Sequence, residues 1–257
     1  MPAPRNIFKE RLLAGETLYG CWLSLGEALP AEIIGTCGFD WALIDGEHAP
    51  NDIRSIRDQL VALEASPTPA LARVPIGEAW LIKQVLDAGV QSVLVPMVES
   101  AEQAREMVRA CRYPPAGNRG VGAGSARASR FSTYTDYEAT ADDQICLMVQ
   151  IESRAAIEAL DEILQVDGVD CVFIGPADLS SDYGYAGDST GPEMHALILE
   201  TLGRIAAAGK APGMLCLDDR VVEYVEAGAR MIASAVDVQL LRTAATEWAQ
   251  RFRTKPG

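Results

Sequence analysis

Eight short apolar runs recur along this chain, each followed by a stretch with helical spacing of apolar residues. The runs are LYGCWLSL (18–25), DWALIDG (40–46), PALARVP (69–75), QSVLVPM (91–97), ICLMVQIE (145–152), DCVFIG (170–175), PGMLCL (212–217) and RMIASAV (230–236). The helical patterns cover 28–37, 50–64, 78–88, 100–112, 153–163, 192–208, 218–227 and 238–252. Near-continuous apolar strands alternating with helices imply a parallel sheet covered by helices. Eight such units in 257 residues match an α/β fold of one kind, a closed (β/α)8 TIM barrel, as a single domain over residues 1–257. A doubly wound open sheet is the alternative, but no G-x-G-x-x-G opens the first helix. The long irregular stretch, RYPPAGNRGVGAGSARASRF (112–131), reads as a loop from its Pro, Gly and Ser content. Such a loop serves as a wall of a site or as part of a subunit contact.

A net charge of -14 argues against nucleic acid and against an anionic membrane surface as partners. No apolar stretch approaches the ~20 residues that span a bilayer. The N-terminal MPAPRNIFKERLLAGE lacks the apolar core of a signal peptide, so a cytoplasmic location is expected. The six cysteines form no C-x-x-C pair, and Cys146, Cys171 and Cys216 lie in apolar runs, as reduced buried thiols do. The chain has four lysines, Lys9, Lys83, Lys210 and Lys255, and none ends a strand-like run. A Schiff base needs a desolvated lysine beside the substrate carbonyl. Carbon-acid chemistry on this chain therefore calls for a metal.

Polar residues gather where the strands end, the rim at which a barrel places its active site. Asp45, Glu47 and His48 follow the second strand, and Arg73 ends the third. Gln150 and Glu152, two apart and so on one face, end the fifth. The turn Gly175, Pro176, Ala177, Asp178 follows the sixth. A carboxylate at the end of an apolar run is costly unless solvated, paired or bound to a cation. Glu152 and Asp178, from neighbouring strands, can share one hard divalent ion, with Mg2+ or Mn2+ expected and Co2+ or Zn2+ as substitutes. They can also be two helix caps, a reading that suits Asp178 better than Glu152. His48 is a candidate base or a surface residue; His195, inside a helical stretch, reads as structural or exposed. Arg73 can hold an oxyanion or simply pair with an acid, and Gln150 can be a satisfied core amide. Backbone N–H groups at Ala177 and Asp178 suit a substrate carboxylate.

The motifs GFDWALIDGEHAPN (38–51), LIKQVLDAG (81–89), VPMVESAEQAR (95–105), RYPPAGNRGVG (112–122), VQIES (149–153) and VFIGPADLS (172–180) resemble those of the HpcH/HpaI aldolases. The likeness runs from about residue 15 to 245, in order. It implies a class II, metal-dependent pyruvate aldolase of the phosphoenolpyruvate/pyruvate barrel superfamily, such as those of aromatic-compound catabolism. By motif, His48 would be the general base and Arg73 the stabiliser of transition-state charge. Asp87 would raise the basicity of His48, within one subunit or across a subunit boundary, and Asp45 would hold the local network. Glu152 and Asp178 would bind the metal. Gln150 and the turn from Gly175 through Pro176 to Ala177 and Asp178 would contact the 2-oxo acid, with an aldehyde as its aldol partner. The resemblance further implies a homo-hexamer, a trimer of dimers, that exchanges the final helix (238–252). GMLCLD (213–218) departs from the GFLAV-like wall usual there, which bears on substrate range. Two rival functions share the barrel: a CoA-ester lyase of the citrate or malyl type, and a silent barrel acting as a binding protein.

Overall fold

The computed structural model describes residues 1–185, 188–251 and 253. Its strands are β1 (Leu18–Leu23), β2 (Trp41–Asp45), β3 (Ala70–Arg73), β4 (Ser92–Val95), β5 (Cys146–Ile151), β6 (Cys171–Ile174), β7 (Ala211–Leu215) and β8 (Met231–Val236). Each lies in or within one residue of an apolar run. The strands pair in parallel in chain order, and β8 closes onto β1, so the sheet is a barrel and not a doubly wound sheet.

The helices are α1 (Ile7–Leu13), α2 (Ala28–Gly35), α3 (Ile53–Leu63), α4 (Ala79–Ala88), α5 (Ala101–Cys111), α6 (Tyr137–Gln144), α7 (Arg154–Glu158), α8 (Leu160–Leu164), α9 (Pro176–Asp182), α10 (Pro192–Ala207), α11 (Val221–Glu226) and α12 (Asp237–Arg251). Two departures from the sequence pattern matter. The helix expected over 153–163 is two short ones, α7 and α8, joined at Ala159 with φ -85° and ψ 1°. Helices α1, α6 and α9 are short, and their periodicity does not stand out from the flanking loops.

Successive strand residues face opposite ways. One set faces the barrel axis, where Trp41, Leu43, Leu71, Leu94, Met148 and Phe173 form one buried cluster. The other set, with Ile44, Val93, Val149 and Ile232, packs beneath the helices. Gly20 makes room for the axis cluster: a Cβ there would lie 2.0 Å from the Trp41 indole. The period-two alternation that fills the axis continues to the strand ends, where the inward positions become Asp45, Arg73 and Gln150. The rim chemistry therefore rests on a packed hydrophobic floor.

The 112–136 stretch is largely irregular, with a single 3₁₀ turn at Arg127–Ser129, and lies under the other end of the barrel. Gly122 approaches Asp87, and Arg127 donates to Ala88 O, the last residue of α4. It is thus no wall of its own chain's rim. Helix α12 is buried only at Asp237, and residues 238–251 are exposed. Residue 252, the last of the expected final helix, and Lys255 lie outside the described residues. Among the described residues no helix is long and apolar enough to cross a membrane.

Candidate active site

Asp45 and Arg73 are registered partners on adjacent strands, so their side chains leave on the same inner side. Arg73 Nε and Nη2 donate to the two Asp45 oxygens, each at 2.8 Å. The third nitrogen, Nη1, lies 2.6 Å from Glu47 Oε2. That contact is an ion pair without hydrogen-bond alignment, since Oε2 is buried with no hydrogen-bond partner. The guanidinium also lies over the Trp22 ring, 4.9 Å from its centroid. Burial works to raise the Asp45 pKa, but the Arg73 hydrogen bonds and charge, with the Glu47 N–H and Trp22, hold it below the usual range. A fork gripped by Asp45 along one edge and paired with Glu47 at Nη1 is a fixed positive group at the rim.

Glu152, one residue past β5, is 2% exposed. Its Oε1 accepts the Met97 N–H at 2.9 Å, and Oε2 accepts a close hydrogen bond from Gln150 Nε2. Met97 donates from a left-handed backbone (φ 54°), held in place by Gln103, whose Nε2 donates to Met97 O. Gly175 presses on the same carboxylate: a Cβ there would lie 2.2 Å from Glu152 Oε2. Burial raises the Glu152 pKa to about 7; the Met97 and Gln150 hydrogen bonds oppose this, and the charges of Asp178 and Glu47 add to it. Burial likewise raises Glu47, with Arg73 and His48 opposing and Asp45 and Asp178 reinforcing. Asp178, exposed in the first turn of α9, is thus near enough to act on both.

This donor set suits an oxygen-ligated divalent cation. Glu152 is a buried carboxylate that no arginine, lysine or histidine pairs with among the described residues. Its neighbours Glu47 and Asp178 make its negative charge costlier still, and a cation would reverse that sign. Gln150 Oε1 is a further buried acceptor without a partner. Among the described residues no group of three or more His, Cys, Asp or Glu is set to hold a metal; an ion held by two carboxylates would take its remaining ligands from water and substrate.

Beside this cluster, α9 offers backbone donors. The first N–H bond inside it runs from Leu179 to Gly175 O. Pro176 has no N–H, so the N–H groups of Ala177 and Asp178 point out of the helix start. His48 stands at the rim with its side chain 64% exposed, and its Nε2 is 3.7 Å from Glu47 Oε2.

The structure brings Asp45, Arg73, Gln150, Glu152, the 175–178 turn and His48 to one rim. It does not bring Asp87 there. Asp87 is in the last turn of α4, at the opposite end of the strands, and Arg119 Nη2 donates to its Oδ1 at 2.9 Å. His195 binds Tyr224 at 3.0 Å and Glu223 at 2.9 Å, tying α10 to α11. The cysteines are free thiols, all buried except Cys37. Lys9 and Lys210 cap backbone carbonyls away from the rim. Sequence reasoning passed over Trp22 and Met97. Inward spacing on β1 was a usable signal for Trp22; a left-handed methionine leaves none.

Residues 18–244 match the model of the HpcH/HpaI aldolase/citrate lyase family. The chain is 55% identical over 255 residues to a hydroxypyruvate/pyruvate aldolase of Roseobacter denitrificans, covering 97% of this chain and 100% of that one. It is 48% identical over 258 residues to a 4-hydroxy-2-oxo-heptane-1,7-dioate aldolase of Escherichia coli, covering 98% of each. An HpcH/HpaI aldolase/citrate lyase family protein of Burkholderia cenocepacia superposes with a TM-score of 0.93 at 39% identity, covering 97% of this chain and 100% of that one.

Proposed function

Since this chain belongs to the HpcH/HpaI aldolase/citrate lyase family, we propose that it is a divalent-metal-dependent lyase that joins and cleaves a 2-oxo acid and an aldehyde. The donor is pyruvate or hydroxypyruvate. The observation that carries the reading is the buried Glu152 carboxylate, left without a cationic partner beside Glu47 and Asp178.

Glu152 and Asp178 would hold Mg2+ or Mn2+, with Co2+ or Zn2+ able to substitute. When bound, such an ion draws electron density from a 2-oxo acid and so acidifies its C3 protons. The N–H groups of Ala177 and Asp178, with Gln150, fix the substrate carboxylate and orient the keto group toward the rim. The Arg73 guanidinium, with Nη1 against Glu47, faces the developing enolate oxygen. Asp45 and Trp22 keep that guanidinium from moving when charge appears, so the donors need no reorganisation. His48 moves the proton, directly or through one water: off C3 in the synthetic direction, off the C4 hydroxyl in cleavage. An imidazole exchanges protons near neutral pH without a large driving force.

Two features of the fold support an assembly of copies, if His48 and Asp87 meet as the family resemblance implies. His48 and Asp87 stand at opposite ends of one barrel, so a His48–Asp87 contact requires a second copy. Helix α12 offers Leu240, Leu241 and Trp248 to such a copy, each at least 45% exposed. On the family resemblance, we propose a homo-hexamer of single-domain subunits with exchanged α12, working in the cytoplasm; the exposed apolar face of α12 supports the exchange.

Pyruvate release from a 4-hydroxy-2-oxo acid tests the reading. It should stop in EDTA and return with Mg2+ or Mn2+. Full turnover after exhaustive chelation would overturn it, and cleavage of acyl-CoA substrates instead would favour the CoA-ester lyase. Sedimentation showing a monomer would remove the assembly.

A further inference from the structure

At the end of the barrel away from the rim lies a cavity of about 350 Å3, within the size range of small-molecule sites. The ends of α3 and α4, the segment before α1 and the 112–136 loop border it, and it opens to solvent. Its charged lining residues are Arg5, Arg127, Arg130 and Glu64. Arg5 is held by Glu10. Glu64 is shared: Arg127 Nη2 takes Oε2 at 2.7 Å, and Arg130 takes Oε1. Two guanidinium groups thus divide one carboxylate, in a chain whose net charge is -14. Burial, and then the charge of Arg57, push the Arg127 pKa down.

The backbone aims one of these arginines. Arg130, Phe131 and Ser132 have φ of 51°, 54° and 70°, three successive non-glycine residues in the left-handed region. L residues rarely adopt that conformation, and strain of this kind gathers where a ligand is gripped. Ser132 N donates to Ser129 Oγ at 3.0 Å and Ser132 Oγ to Gly124 O at 2.7 Å, which lock the bend. Tyr134 also lines the cavity, and its hydroxyl has no hydrogen-bond partner among the described residues.

We propose that this cavity is a second binding site, for a small organic oxyanion gripped by the Arg127 and Arg130 forks and the Tyr134 hydroxyl. Guanidinium forks match phosphate and carboxylate alike. The ligand is a phosphate ester or a compact carboxylate, and it displaces Glu64 from at least one arginine. The competing account has the arginines only pinning the loop. It covers Arg127, which caps the α4 carbonyl of Ala88, but not Arg130, which holds Glu64 alone and is 46% exposed.

The two accounts differ in sign at Glu64. Titration calorimetry on the Mg2+-loaded enzyme, with oxamate saturating the rim, should show saturable binding of ribose 5-phosphate or of succinate. Inorganic phosphate and ribose serve as separate arms that tell which end of the ester is recognised. Arg130→Gln should weaken binding about tenfold, the size of one lost charge-assisted hydrogen bond. Arg130→Lys, which keeps the charge and gives up the fork, should fall between. Glu64→Gln should bind more tightly than the wild type, because the internal competitor is gone. No saturable binding of any probe, unchanged affinity in Arg130→Gln, or weaker binding in Glu64→Gln overturns the proposal. None of these outcomes bears on the rim chemistry of the aldolase reading, while the assembly, which brings Asp87 at this end to a second copy, is tested separately by sedimentation.

Discussion

Replacing Glu152 by glutamine should make the metal-free protein more stable while destroying its hold on metal. The carboxylate titrates at about 7 in the fold against 4.5 for an ordinary glutamate. A raised acid pKa means that the unfolded chain ionises first. Stability is therefore complete below pH 4.5, falls as pH rises, and has lost its full share above pH 7. At 1.36 kcal/mol per unit, the penalty in the wild type is roughly 3 kcal/mol by pH 8. Glu152→Gln keeps the shape and drops the charge, so it should recover most of that amount. Urea unfolding in EDTA at pH 4.5, 6 and 8 measures it. The variant should match the wild type at the lowest pH and unfold at clearly higher urea at pH 8. Calorimetry with Mn2+ should show the reverse order, with affinity lost in the variant and rising with pH through 7 in the wild type. A metal-free Glu152→Gln that is less stable than wild type at pH 8 would refute the picture of an unpaired buried charge.

His48→Ala should lose about 10²- to 10⁴-fold in turnover, the usual contribution of a positioned base, with Mn2+ affinity retained; near-normal turnover removes His48 from the mechanism. Gly175→Ala places a Cβ 2.2 Å from Glu152 Oε2 and 2.7 Å from Gln150 Nε2, so metal affinity should fall with little loss of secondary structure by circular dichroism. Unchanged affinity would show that the carboxylate does not need that cradle. Borohydride with pyruvate should trap no adduct, because Lys9 and Lys210 are bound to carbonyls away from the rim. A lysine adduct by mass spectrometry would place the enzyme in the Schiff-base class.

Much of this architecture was legible in the chain before any tertiary structure. Apolar runs set strand positions because a sheet buried on both faces tolerates little else. Side chains alternate along a strand, so Gln150 and Glu152 had to share a face, and the strand ends marked the rim. Barrel closure alone decided what lay across those ends. It stacked Trp22 on Arg73, set Glu47 against the same guanidinium, and made Glu152 a buried charge near Asp178. It also sent Asp87 to the far end beside Arg119, and folded the 112–136 loop under the barrel and not over its rim. Local periodicity reports which way a side chain points relative to its neighbours on one segment. Distances between segments, and the burial that shifts a carboxylate, arise only when eight strands close into a ring.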